Sequence, residues 1–261
     1  MTTLTTDAVL AVADALGVQT LPAVLALRPR HIEYTGLAAA RAAAWPDLRD
    51  RGVFDHDGNV LDDDLATALF ALARPDRQLV LRIRRGGTLH RVCLARRGLD
   101  HALAVRVGEE LRVHTVWGDE DPEVLARPLL AALGSCPPAD IPAFTAPTAE
   151  LRQRFDHPET SHASAAYQLG MPEADAITLG SALRQWHSLA ELVCYSHREG
   201  RAVRSPATAA VYDTAVGRII GGGSIAPDGQ AWTTLAPGSD RRLAHAIAAQ
   251  IESLPEGRWM P

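Results

Sequence analysis

The chain has no lysine: all 26 of its basic residues are arginine. We read that bias, with the abundant alanine, as codon usage of a GC-rich genome before any adaptation to phosphate. The absence removes one phosphate-binding class. Gly221-Gly222-Gly223-Ser224 has the look of a phosphate cradle, but a P-loop needs a lysine after its glycines and a helix beyond them, and a strand is expected here. Cysteine is scarce too. Cys93, Cys136 and Cys194 are an odd number without CxxC spacing, which excludes a disulfide framework and suits a reducing cytoplasm. No apolar run approaches the roughly 18 residues of a membrane span, and the first residues lack the basic region and cleavage motif of a signal peptide, so a cytoplasmic protein is expected.

Other chemistries fail on a single residue. A calcium loop with Gly58 at its required glycine would begin at Val53 and end at Asp64, and Val53 offers no ligand. A nucleophile elbow needs glycine two residues after the serine, where Ser224 is followed by Ala226. The ten histidines are scattered, and the pairs His157/His162 and Cys194/His197 have no further ligands at usable spacing, so no metal and no cofactor are expected. The formal charge of −5 argues against nucleic acid, as does the lack of aromatics between Leu79 and Val107 on which bases could stack.

What the chain does contain is a repeated order of elements. In the C-terminal third, two apolar runs flank Thr214–Gly217 and a third follows Pro227-Asp228-Gly229, which predicts a β-meander. Ser239 then caps a helix whose stripe is Leu243, Ile247, Ile251 and Leu254. The same order occurs from Leu79 to Leu133. Apolar runs are separated by Gly86-Gly87, Gly98 and Gly108, followed by an acidic cap at Asp119 and Asp121, Pro122 at the first helical position, and Leu125, Leu129 and Leu133. Pro128 should kink that helix or delay its start. The fold class expected is α+β: a central antiparallel β-sheet flanked by helices, one domain over 1-261, with halves at about 1-135 and 148-261. The Pro-rich stretch 136-147 is the expected connector, crossing the surface with few hydrogen bonds.

The remaining pieces read in order. Thr5 or Thr6 caps a helix ended by Gly17; Leu21–Leu27 is a short apolar run expected to be a strand; the Ala-rich Gly36–Trp45 is helical and stops at Pro46; Asp55–Gly58 is a turn; and Asp62 or Asp63 opens a helix ended by Pro75. Helices are expected near Thr148–Phe155, through Ser161–Leu169 and after Pro172, and strands resume at Leu189.

Period-2 alternation in the first meander sets Leu79, Leu81 and Ile83 against Arg82 and Arg84, Leu103, Val105 and Val107 against Arg106, and Leu111 and Val113 against Arg112 and His114. This predicts one apolar face and one Arg/His face. The second is either a solvated surface or a partner-binding face, since arginine suits interfaces better than lysine. The partner-contact candidates are Arg82, Arg84, His90, Arg106, Arg112 and His114, with the hairpin glycines Gly86, Gly87, Gly98 and Gly200; no catalytic residue is expected. The alternative is a small-ligand-binding protein or enzyme with a pocket of Cys194, His197 and the Gly221–Gly223 loop.

Three segments carry a family resemblance: LTTDAVLAVADALGV…LPAVLALRP at the start, ALARPD before the Arg-rich strand, and VYDTAVGRI…DGQAWTTLAPGSDRRLAHAIAAQIESLP at the end. Together they resemble the EspG family over about Leu4 to Pro255. That resemblance implies a non-enzymatic cytosolic chaperone of type VII (ESX) secretion, binding the PPE tip of a PE–PPE heterodimer, keeping it soluble and delivering it for export. It also implies two quasi-two-fold halves. A monomer or weak homodimer is expected, with no membrane and no nucleic-acid partner.

Overall fold

The computed structural model describes residues 2–28, 34–157 and 159–261. Strand β1 (Thr2–Thr5) leads into α1 (Thr6–Ala15), capped by the Thr5 hydroxyl, which accepts from the Ala8 amide. Helices α2 (Tyr34–Asp50) and α3 (Asp63–Ala73) precede the first meander, β2 (Arg77–Arg85), β3 (Thr88–Arg97), β4 (Asp100–Val107) and β5 (Glu110–Thr115), and α4 (Pro122–Leu133) closes it. Next come β6 (Phe144–Pro147), α5 (Thr148–Phe155), α6 (His162–Gln168) and α7 (Glu173–Arg184). The second meander is β7 (Trp186–Arg198), β9 (Ala209–Thr214), β10 (Gly217–Ile225) and β11 (Ala231–Pro237), with the short β8 (Arg201–Arg204) on β7, and α8 (Asp240–Glu252) follows.

All strands join one sheet, antiparallel at every pairing, with β2 beside β7 at its centre. Outward from β2 the order is β3, β4, β5, β1; outward from β7 it is β9, β10, β11, β6. The front face is covered by α4 and α8, which pack on each other and on Leu79, Leu81, Ile83, Val92, Leu94, Leu192, Val211 and Ile220. The Leu243, Ile247, Ile251 and Leu254 stripe of α8 is buried there, each side chain contributing about 1.5–3 kcal/mol by removal from water. On the back face, α1 and α3 cover the first meander through Val80, Cys93, Ala104, Leu111 and Val113, while α6 and α7 cover β10 and β11 through Ile219 and Leu235.

Several expectations are corrected. Leu21–Leu27 forms no strand but a 3-10 turn at Ala23–Leu25 ending in a left-handed Ala26, lying flat on the back of the sheet. The open edge of β5, where a strand could have added, is taken by β1. Helix α2 runs through Pro46 to Asp50, because Leu48 is fully buried and Trp45 stacks on Phe54 at 4.5 Å, contacts that outweigh one lost hydrogen bond. Helix α4 starts at Pro122 as expected, so Pro128, which lies inside it, does not delay its start. The connector is pinned rather than loose. Ala139, Ile141, Phe144 and Ala146 are buried, the Arg218 amide donates to the Pro137 carbonyl at 2.6 Å, the Ala139 amide donates back to the Arg218 carbonyl at 2.9 Å, and the segment ends as edge strand β6.

Candidate functional site

Directly opposed residues in an antiparallel pair share a face. Arg82 opposes Arg91, which opposes Arg106, which opposes Leu111, so these arginines belong to the back face. Arg112 instead opposes Val105, His114 opposes Leu103, and His90 opposes Ile83 and Val107, which places all three on the front face beside α4. The expected single Arg/His face is therefore split between two faces, and both faces carry helices. Gly108-Glu109 is a two-residue turn, so β5 enters one step out of phase with an independent strand-by-strand reading.

The residues differ in what they hold. Arg106 is half-buried; its Nη1 donates to the carbonyls of Leu25 at 2.8 Å and Ala26 at 2.6 Å, and its Nε donates to Gly108 at 2.8 Å. With Arg91, whose Nη1 donates to Val24, it fastens the 3-10 turn to the sheet. Burial lowers the pKa of His90 and of His114, whose Nδ1 is enclosed without a hydrogen-bond partner. Arg82, Arg84 and Arg112 are exposed. The hairpin glycines separate as well: Gly86 and Gly87 lie at one end of the central strands, Gly98 and Gly200 at the other. Each adopts positive φ, which explains glycine there without any partner contact.

The alternative pocket is not assembled. Cys194 opposes Leu79 in the front core, fully buried, with its thiol pushed up to about 12 by desolvation. His197 faces the other way, its Nε2 3.0 Å from Gln78 Oε1, and burial holds its pKa down. Gly221 and Gly223 line a different cavity from His197.

What the structure does assemble is a trough on the back of the two central strands. Along β7 the front-facing Ser188, Ala190, Leu192, Cys194 and Ser196 are all buried, while the back-facing Leu189, Glu191, Val193, Tyr195 and His197 are half-buried or exposed. The helices on that side stand over the flanks, α1 and α3 on one and α5 to α7 on the other. Two cavities open between them. One of about 430 Å³ is lined by Val80, Arg82, Tyr195 and His197, and one of about 540 Å³ by Glu191, Val193, Arg204, Gly223, Ile225 and Trp232. The floor mixes apolar side chains (Val80, Leu189, Val193) with the charged pair Arg82 and Glu191, directly opposed across β2 and β7, and with Arg84; Arg152 and Arg204 stand at its side. Arg82 and Arg84 were legible as candidates; Val80, Glu191, Val193, Tyr195 and Trp232 were not. For Glu191, Val193 and Tyr195 the signal was present in β7, where Ser188, Ala190, Cys194 and Ser196 alternate with larger or polar residues.

An open face that mixes apolar and charged side chains between two groups of helices fits a protein segment better than a compact metabolite. The family model for the EspG family matches residues 5–249, and the chain belongs to that family. It is 31% identical to the ESX-3 secretion-associated protein EspG3 of Mycolicibacterium smegmatis, over 99% of this chain and 88% of that protein. It is 30% identical to the ESX-1 secretion-associated protein EspG1 of Mycobacterium marinum, over 98% of this chain and 89% of that one. In fold it is similar to the type VII secretion system chaperone EspG5 of Mycobacterium tuberculosis, solved in complex with a PE25–PPE41 dimer. The TM-score is 0.81 at 22% identity, covering 99% of this chain and 98% of the other. Among the described residues, no helix is long and apolar enough to cross a membrane.

Proposed function

We propose that this protein is a non-enzymatic cytoplasmic chaperone of a type VII secretion system that binds the PPE subunit of a PE–PPE heterodimer in the back-face trough. The observation that carries this reading is the central strand β7, buried along its front and open along its back between two groups of helices. Edge strands are where chains usually meet, but here the edges are short and one carries Pro147. The open back of the central strands instead combines half-buried Leu189, Val193 and Tyr195 with exposed Arg82, Arg84 and Glu191. Arg82, Arg84, Arg152 and Arg204 would meet acidic or polar groups around an apolar tip, and arginine is the cation that loses least on entering such a contact. Arg106, committed to the Leu25 and Ala26 carbonyls, supports the site from beneath, and Arg112, His90 and His114 lie outside it. We also read the chain as one domain whose halves, about 1-135 and 148-261, repeat one unit; the matching outward strand orders support this.

The test is co-expression with PE–PPE pairs encoded beside the gene, followed by affinity purification and size-exclusion chromatography; a co-eluting three-protein complex is expected. Arg84→Glu should weaken that complex about tenfold, roughly 1.4 kcal/mol, while leaving the thermal unfolding curve in place. Unchanged affinity in calorimetry removes Arg84 from the site. Loss of the complex together with a lowered Tm would show that the substitution acts through folding.

A further inference from the structure

Three potential metal ligands far apart in sequence meet at one end of the front face. The Sγ of Cys136, a ring nitrogen of His187 and a carboxylate oxygen of Asp213 all lie within 4.8 Å of one another. We propose that Cys136, His187 and Asp213 form a zinc site that locks the connector to the sheet. A thiolate, an imidazole and a carboxylate around one point is a donor set suited to Zn²⁺, with ligand bonds of about 2.0–2.3 Å and a fourth position left to water.

Each ligand is delivered by a distinct feature. His187 is the extra residue of a β-bulge: Trp186 opposes Thr214 and Ser188 opposes Asp213, leaving His187 with no partner in the ladder. Bulges re-aim a side chain, and this one sets an exposed histidine beside Asp213. Asp213 is buried and held by Arg218, whose Nε donates to Oδ1 at 2.6 Å and whose Nη2 donates to Oδ2 at 3.0 Å. Each carboxylate oxygen keeps a second lone pair, and the arginine fixes the carboxylate as an outer partner of a metal ligand does. Cys136 is the half-exposed cysteine among three, carried by the segment whose neighbours Pro137 and Ala139 are bonded to the backbone of Arg218. The thiol of Cys136, carrying its proton, lies with Sγ within 4.8 Å of an Asp213 carboxylate oxygen. Zinc would take the place of that proton, forming Zn–S and Zn–O bonds and releasing H⁺ to solvent.

The experiment uses the full chain, stripped with chelator and titrated with Zn²⁺ by calorimetry and with Co²⁺ as a spectroscopic stand-in. One equivalent should bind, Co²⁺ should show a thiolate charge-transfer band, and Zn²⁺ should raise Tm by several degrees. Cys136→Ser should abolish the band, and His187→Ala should weaken binding tenfold or more. Both side chains reach solvent, so both variants should fold, which an unchanged metal-free melting curve checks. Absence of one-equivalent binding at micromolar Zn²⁺, or binding equal in the parent and both variants, would overturn the site.

Discussion

The front face of the sheet is closed at each end by a buried arginine, Arg218 at one and Arg77 at the other, and the two are neutralised by different means. Arg218, on β10, meets Asp213 on β9, both side chains under 5% exposed, and its Nη2 also donates to the Gly134 carbonyl at the C-terminus of α4 at 2.9 Å. Arg85 donates to the Leu133 carbonyl beside it, so two cations sit where the helix dipole is negative. Arg77, on β2, has no buried carboxylate. Its Nε donates to the Arg258 carbonyl at 3.1 Å, its Nη2 to the Pro255 carbonyl at 3.1 Å and to Glu256, which is about half exposed, and its Nη1 to the Ser196 hydroxyl. One end is thus an ion pair sealed by the fold, and the other a cation holding the backbone of the C-terminal tail. A glycine lies over each end: a Cβ on Gly238 would overlap Arg218, and one on Gly118 would overlap His101. The tail is held there by Arg77 through the Pro255 and Arg258 carbonyls and by the buried Trp259, whose indole donates to His101.

The comparison predicts unequal costs. Arg218→Met should destabilise most, by about 3–5 kcal/mol, because it leaves the Asp213 carboxylate buried without its counter-charge. Denaturant unfolding measures this, and the double variant Arg218→Met/Asp213→Leu should recover much of the loss. If the single and double variants are equally unstable, the cost lies in the lost link to Gly134 rather than in an orphaned charge. Arg77→Met should cost less, about 1.5–3 kcal/mol, since the carbonyls and Glu256 that it leaves can regain water as the tail lifts. Hydrogen exchange should then show faster exchange at the Trp259 and Met260 amides, which donate to Glu120, with the rest of the sheet unchanged. Uniform acceleration across both meanders would mean that Arg77 supports the whole sheet as Arg218 does.

Much of this comparison was hidden from the sequence for physical reasons. The meanders, their glycine turns and the caps at Thr5, Asp62, Asp121 and Ser239 were legible because each is set by residues within a few positions. Face assignment was legible within a strand but not between strands, since the turn length sets the relative phase; the two-residue turn at Gly108-Glu109 moved Arg112 and His114 to the front. The pairing of Asp213 with Arg218 could have been suspected from a short hairpin, but not its burial, which depends on α4 ending above it. The bulge that isolates His187 and the edge strands β1 and β6 depend on partners far along the chain. The trough was hardest to foresee. Its borders come from helices packed on either side of β2 and β7, and no local pattern says where those helices stop.

The smallest expected effect separates the two ends by pH. The indole Nε1 of Trp259 donates to His101 Nε2 at 2.8 Å, so Nδ1 must carry the ring proton, and it lies 3.0 Å from the Leu99 carbonyl. Burial is the largest cause holding the His101 pKa below its ordinary value, with Arg96 adding to it and the Leu99 carbonyl, Asp100 and Asp119 opposing it. A histidine depressed in the folded state binds its proton more readily when unfolded. Its contribution is therefore complete above the unfolded value of about 6.5 and is lost as pH falls from there toward the folded pKa. His90, His114 and His197 are shifted the same way, so overall stability should decline as pH falls below the unfolded value of about 6.5. His101→Gln should flatten part of that decline. In the parent protein, exchange at the Trp259 amide should quicken at acidic pH beyond the intrinsic rate change, while the amides around Arg218 hold. Equal acceleration at both ends would show that the tail and the Arg218 end open together, and that their different neutralisation has no consequence for local opening.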